Sequence, residues 1–422
     1  MITKKNIYHY LLYVVFALIF FCGIGLHSIS LAGGSTEGNV FVPMLFKYGI
    51  VFVAAAVIIL VYKFCFPLIP EKYLPKKIPV IPKFVEAIGA ALIVIFMLFL
   101  RIMIITSRIG SDEEINNVYL NFATGVSDTL PNTAMLTYVY AVICKLLCNI
   151  HPSEYPLYAF NTLLQIGTAF ISYFTLKRTL KMRYGILVFL LIAFLPYSIH
   201  SALVISPDIF LTFLFAVYFY VLARITELNE KHKFNEKKQL LFMVLLGVIS
   251  GFITSLDIIG VSLMFITISM FFLIKNSEAW LKFQKPFTQS FIYFISYAAA
   301  TFSFLYTLNN HGIRYINNCE NFIYSFIPDG LSLSFNPPCE GRIEGIVIFI
   351  FAAIAIFSFI RNDFDKGLIG VWVIDLCAIF TFVNFNSSEY SYLVNFAYFL
   401  IVAVGLFSVP DFLVTQDEIY ER

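Results

Sequence analysis

The stretch Arg108–Phe122, RIGSDEEINNVYLNF, places three consecutive acids, Asp112, Glu113 and Glu114, within a few residues of an apolar run ending near Thr106. A carboxylate beside a bilayer can accept the proton of a hydroxyl nucleophile or orient that hydroxyl for attack. If the chain turns helical with Ser111 as its N-cap, then Asp112, Ile115, Asn116 and Tyr119 fall on one face at i, i+3, i+4 and i+7. That face carries a carboxylate, an amide and a phenol, the set a polyhydroxy substrate needs. Glu113 points about 100° away from Asp112 on such a helix and is the second candidate, whereas Glu114 reads as solvated. A plainer explanation stands beside this one. Acids are favoured at any helix N-terminus by the helix dipole.

A group that departs as phosphate needs cations or donors near the charge it develops. Arg108 directly precedes the acids and either pairs with them or meets such a phosphate. The polar stretch 309–344 adds His311, Arg314 and Arg342; the planar paired donors of arginine suit phosphate oxygens, and lipid headgroups attract the same residues. His200 and Asp208 flank a short turn in PYSIHSALVISPD. Ionisable groups at a membrane boundary are functional candidates, although Asp208 after Ser206-Pro207 is equally a helix start. Asp257, between two apolar half-spans, carries the same pair of readings. No Cys, His and carboxylate spacing reads as a metal site, so neither metal nor cofactor is expected.

These residues must be positioned by a membrane protein. The 422 residues are 60% hydrophobic and only 13% charged, against about 25% charged in soluble domains. Spanning helices need about 20 mostly apolar residues. Candidates are 9–28, 44–66, 84–106, 157–178, 184–203, 207–226, 240–256, 257–275, 288–308, 345–361, 367–385 and 391–409. The first of these has a basic start but no small-residue cleavage site, so it reads as an uncleaved span. Cys22, Cys65, Cys144, Cys148 and Cys377 lie in apolar segments as small buried hydrophobes. Cys319 and Cys339 share the 309–344 loop and form a disulfide only if it faces an oxidising side.

A thirteenth apolar segment, 131–149, decides the topology. Cytoplasmic loops collect Lys and Arg. If 131–149 crossed, the basic loops 177–183, 224–238 and 275–285 would all face outside. If it stays on the surface, all three lie inside, together with 361–366. The segment opens with Pro131 and holds Lys145, as an interfacial helix does. The expected architecture is therefore all-α and polytopic, with about 12 spans and both termini cytoplasmic. The first core loop, 107–156, faces outside and carries a surface helix, and 309–344 faces outside as well. Residues 1–70 read as two additional helices, 84–275 as the core, and 276–422 as C-terminal spans.

An apolar helix followed by SDEEINNVYLNF, then the Pro-led LPNTAMLTYVYAVICKLL, resembles the first outer loop of the GT-C superfamily of glycosyltransferases. More narrowly it is similar to the protein O-mannosyltransferase and lipid A aminoarabinose transferase branch. The order continues with YAFNTLLQIGTAFISYFTLKRTLKMRYG, a span with an internal Pro, a second span starting on the outer face, and the Gly-marked pair LLGVISGFITSLDIIGVSLMF. The resemblance covers roughly 84–275. It implies a membrane enzyme that moves a sugar from a polyprenyl-phosphate carrier to an acceptor on the extracytoplasmic face. It also implies that Asp112 is the base or acceptor-positioning carboxylate. The expected location is the plasma membrane of a bacterium. A lipid or polyisoprenoid flippase, and a cell-envelope polymer ligase or polymerase, are the competing classes. A transporter would show paired repeats or charges deep in its spans.

Overall fold

A computed structural model describes residues 82–108, 114–126, 135–179, 199, 201–230, 236–273 and 284–309, with 392, 393 and 396. Among the described residues every regular element is a helix. The elements are α1 (Lys83–Arg108), α2 (Glu114–Thr124), α3 (Met135–Ile150), α4 (Tyr155–Thr179), α5 (Pro207–Glu230), α6 (Glu236–Leu256), α7 (Val261–Leu273) and α8 (Gln284–Asn309). Short 3₁₀ turns at Ser201–Leu203 and Ile258–Gly260 precede α5 and α7.

Among the described residues three segments have both the length and the apolar composition to cross a bilayer: Phe84–Ser107, Pro207–Ile225 and Phe287–Thr307. They correspond to the expected spans 84–106, 207–226 and 288–308, and the protein is an integral membrane protein. The outward face of α1 is apolar, with Phe84, Leu92, Ile95, Phe99 and Ile102 all exposed, as a lipid-facing helix requires. α4 is long enough at 25 residues, but much of its buried surface is polar, including Asn161, Gln165, Thr168 and Ser172. Its low amphipathicity in sequence follows from that: its exposed face is apolar, with Leu163 and Phe170, while its buried face carries the polar residues. The expected spans 9–28, 44–66, 184–203, 345–361 and 367–385 lie outside the described residues, save for isolated positions at 199 and 201–203. So does 391–409, apart from the three residues named above.

α1 and α4 run antiparallel, and polar contacts near both ends fix their register. Near one end Arg101 Nε donates to Gln165 Oε1 at 2.9 Å. Near the other, Lys177 of α4 forms an ion pair with Glu86 of α1, and Tyr173 donates its hydroxyl to the same Glu86 oxygen. Glu86 is buried, so its charge in an apolar setting is offset by these two donors. The consequence for topology is direct. The chain leaves α1 and returns to α4 at one and the same end of the bundle. α3 lies within that excursion, and at 16 residues it measures only about 24 Å, short of the roughly 30 Å hydrocarbon core.

The expected pair 240–256 and 257–275 appears as α6 and α7. Asp257 caps the turn between them, accepting the Ile259 amide at 3.0 Å, which favours the helix-start reading of this residue. Deeper in the bundle α5, α6, α7 and α8 share a knot of hydroxyls. Tyr293 OH lies 2.8 Å from Ser250 Oγ and 3.3 Å from Tyr218 OH, and Tyr218 also bonds Thr267. Within a bilayer such groups have no water to turn to, so each satisfies the next.

Candidate active site

The two elements of the first loop pack against each other at the end of the bundle where α1 closes. α2 begins at Glu114, immediately after Asp112 and Glu113. Its Tyr119 ring meets the Tyr140 ring of α3 edge to face, 5.4 Å between centroids and 88° apart. Lys145 of α3 sits with Nζ 5.6 Å from the Phe122 ring centroid of α2. Both contacts join an aromatic face to a polar or cationic edge. A helix of 11 residues would be marginal by itself, so α2 owes its place to α3.

α3 is held in turn by a layer of buried polar groups. Tyr140 donates its hydroxyl to Asn161 Oδ1, and Asn161 Nδ2 donates to the Val204 carbonyl at 2.9 Å. One helical turn further along α4, Gln165 accepts from Arg101 and donates Nε2 to Ser201 Oγ at 3.0 Å. Asn161 and Gln165 thus grip the two sides of the turn 201–204, between α1 and α3. Asp208 follows at the start of α5. Ser206 donates to its Oδ1 and the backbone amide of Tyr392 to its Oδ2, both at 2.7 Å. Arg101, Tyr140, Asn161, Gln165, Ser201 and Asp208 are all at most 6% exposed, so the layer is shut off from bulk solvent. Leaving one such group unmatched costs on the order of 1–3 kcal/mol, which makes the layer an all-or-none scaffold.

Burial keeps Tyr140 and Cys144 of α3 neutral. The Tyr140 hydroxyl is held well above its ordinary range by desolvation, with Cys144 and Tyr119 adding to the effect. It therefore remains a donor to Asn161. Burial pushes the Cys144 thiol up to about 12, reinforced by Cys148 and opposed by its hydrogen bond with Tyr140. Cys144 and Cys148 are free and buried, in line with their expected role as small hydrophobes.

The residues picked out from sequence divide into three groups. Asp112, Glu113, His200, His311, Arg314 and Arg342 lie outside the described residues, as do Cys319 and Cys339. Arg108 ends α1 and Asn116 lies on the first turn of α2, so the backbone brings both to the α3 end. Tyr119 and Asp208 are placed in full. Tyr119 is 7% exposed, its ring committed to Tyr140, so it carries a packing contact for the loop. Asp208 is at once a helix-start residue and part of the buried layer. The helix expected from Ser111 is seen from Glu114 to Thr124, with 109–113 outside the described residues.

Sequence reasoning passed over Arg101, Asn161, Gln165 and Tyr392. A signal existed for three of them. Arg101 interrupts the apolar run 84–106, and a charge inside a span is a functional candidate in its own right. Asn161 and Gln165 stand at i and i+4 in a span, on one face. Nothing local marks Tyr392. Among the described residues no three His, Cys, Asp or Glu side chains gather as a metal site requires.

Residues 150–309 match the family described as dolichyl-phosphate-mannose-protein mannosyltransferase. The chain is similar to these GT-C membrane glycosyltransferases. The matched segment holds α4 to α8 and therefore Asn161, Gln165, Ser201 and Asp208. It bears out the resemblance to the mannosyltransferase branch but is displaced along the chain, reaching 309 where the sequence pattern stops near 275. The first loop with Asp112, α2 and most of α3 precedes it. No curated protein matches the chain.

Proposed function

We propose that the protein transfers a sugar from a polyprenyl-phosphate carrier to an acceptor on the extracytoplasmic face of the membrane. The observation that carries this reading is the mannosyltransferase match over residues 150–309, the segment that builds the scaffold beneath the first loop. In the reaction the acceptor hydroxyl attacks the anomeric carbon, the new glycosidic bond forms, and the bond from that carbon to the phosphate oxygen breaks. Asp112 takes or orients the hydroxyl proton, with Glu113 as its neighbour. The polyprenyl phosphate departs with an added negative charge, which Arg108, Arg314 and Arg342 are candidates to meet. Asn116, His200 and His311 are candidate sugar or phosphate contacts. The acceptor is open: such loops vary freely on one fold.

The antiparallel α1–α4 pair supports the same topology, because a loop that begins and ends on one side carries α3 as a surface helix. In that topology the chain has about 12 spans, cytoplasmic termini and a second outer loop at 309–344. Two added helices (1–70) precede the core (84–275), and C-terminal spans (276–422) follow it. A bacterial plasma membrane is the proposed seat. A cysteine introduced near residue 179 is expected to react with an impermeant maleimide only from the cytoplasmic side. Reaction from outside contradicts the topology. Mass spectrometry of lipids retained by the purified protein is expected to find a polyprenyl phosphate. Retention of ordinary phospholipid alone counts against that donor.

A further inference from the structure

We infer that Asp208 is a positioning residue: by clamping the backbone of Tyr392 it draws that residue, from beyond the family-matched region, into the polar layer of the site and so holds the layer in one arrangement. The functional half of this inference rests on the transferase reading above; the clamp itself does not.

Three observations carry it. Asp208 is 1% exposed, and its carboxylate accepts locally from Ser206 and the Ile209 amide and, on Oδ2, from the amide of Tyr392, 184 residues away. A helix-start aspartate needs only the local partners. Oδ2 also satisfies a distant backbone amide that, in apolar surroundings, must find an acceptor. Next, Tyr392 packs with Leu164 of α4 and Ile209 of α5 in one buried cluster, while Leu393 and Phe396 are also buried. The contact is thus a docked segment and not a lone bond. Last, Leu164, against which Tyr392 packs, adjoins Gln165, which accepts from Arg101 and holds the turn 201–204. Docking of Tyr392 and the order of the layer under α3 are therefore coupled, and a layer held in one arrangement serves geometry that a mobile one cannot.

The experiment uses the full-length protein with Leu393→Cys as a reporter, read by peptide mass spectrometry after a short maleimide pulse. Residue 393 is expected to be protected in the parent. Adding Asp208→Ala should speed its modification about tenfold, as local undocking exposes it. Asp208→Asn, which retains an acceptor for the Tyr392 amide, should keep it protected. Equal protection in all three overturns the clamp. Asp208→Ala is also expected to lower kcat about fivefold with KM for the polyprenyl-phosphate sugar unchanged, and Asp208→Asn to restore it, the pattern of a lost transition-state arrangement. Full turnover in Asp208→Ala overturns the positioning role. Absence of transfer by the unsubstituted protein would instead overturn the transferase reading, and the labelling comparison would still decide the clamp.

Discussion

Replacing Asp112 by Asn is expected to reduce sugar transfer from a polyprenyl-phosphate donor by about 10²–10⁴-fold, the range for losing a positioned general base. Asparagine keeps the size of the side chain and an acceptor oxygen, but it cannot take a proton. The fold should be indifferent to the change. α2 is fastened to α3 through Tyr119 and Tyr140, downstream of Asp112, and α3 is fastened to α4 through Asn161. Expression and detergent stability should therefore match the parent. The contrast separates the two explanations of the acidic stretch. If the acids serve only to favour a helix start, Asp112→Asn costs a few tenths of a kcal/mol to about 1 kcal/mol in stability and leaves turnover intact. Full activity would remove Asp112 from the site.

The largest effect on stability is expected at Gly251. The sequence Gly247-Val-Ile-Ser-Gly251 has the small-xxx-small spacing that lets membrane helices approach closely, and α8 uses it. A Cβ on Gly251 would stand 2.7 Å from the Tyr297 carbonyl oxygen and 3.0 Å from the Thr301 amide. Those neighbours are backbone, so relief requires moving α8 as a whole. That motion would pull Tyr293 from Ser250 and Tyr218, opening the hydroxyl knot. Gly251→Leu is expected to destabilise the protein by about 3 kcal/mol or more, from overpacking together with unmatched buried hydroxyls. Loss of the monodisperse peak on size exclusion, or a clear fall in Tm in detergent, reads this out. Gly125 is the control. It has φ +75° with no heavy atom within 4 Å of an added Cβ, so Gly125→Ala should cost only about 1 kcal/mol of backbone strain. Equal effects at the two positions would contradict the close approach of α6 and α8.

The physics that made parts of this protein legible is local. Phe84–Ser107, Pro207–Ile225 and Phe287–Thr307 can be read because a bilayer demands long apolar runs, and these runs stand out from the polar stretches beside them. α3 could be set apart from the spans because Pro131, Lys145 and its short length all point one way. What remained hidden depends on pairing across the chain. Gln165 looks costly inside a span until Arg101, 64 positions away, supplies its partner. The phenol of Tyr119 fits a substrate contact or a packing ring equally well by residue type. Only its placement against Tyr140 separates the two. Asp208 carried both of its readings for the same reason: the bond to Ser206 is visible in sequence, and the bond to Tyr392 is not. The sequence thus let a site be proposed at the end of α1, while the scaffold of Arg101, Asn161 and Gln165 beside it depends on pairings that no local pattern shows.

The central claim is the donor. Membranes or proteoliposomes containing the protein should be given a radiolabelled polyprenyl-phosphate sugar, with mannose first in view of the family match, and in parallel the corresponding nucleotide sugar. Protein-dependent passage of label out of the lipid-phosphate fraction into a glycosylated product, from the lipid donor alone, is the predicted result. Label that stays on the polyprenyl phosphate, or that merely changes leaflet while still attached to it, would contradict the transferase account and leave a flippase in its place.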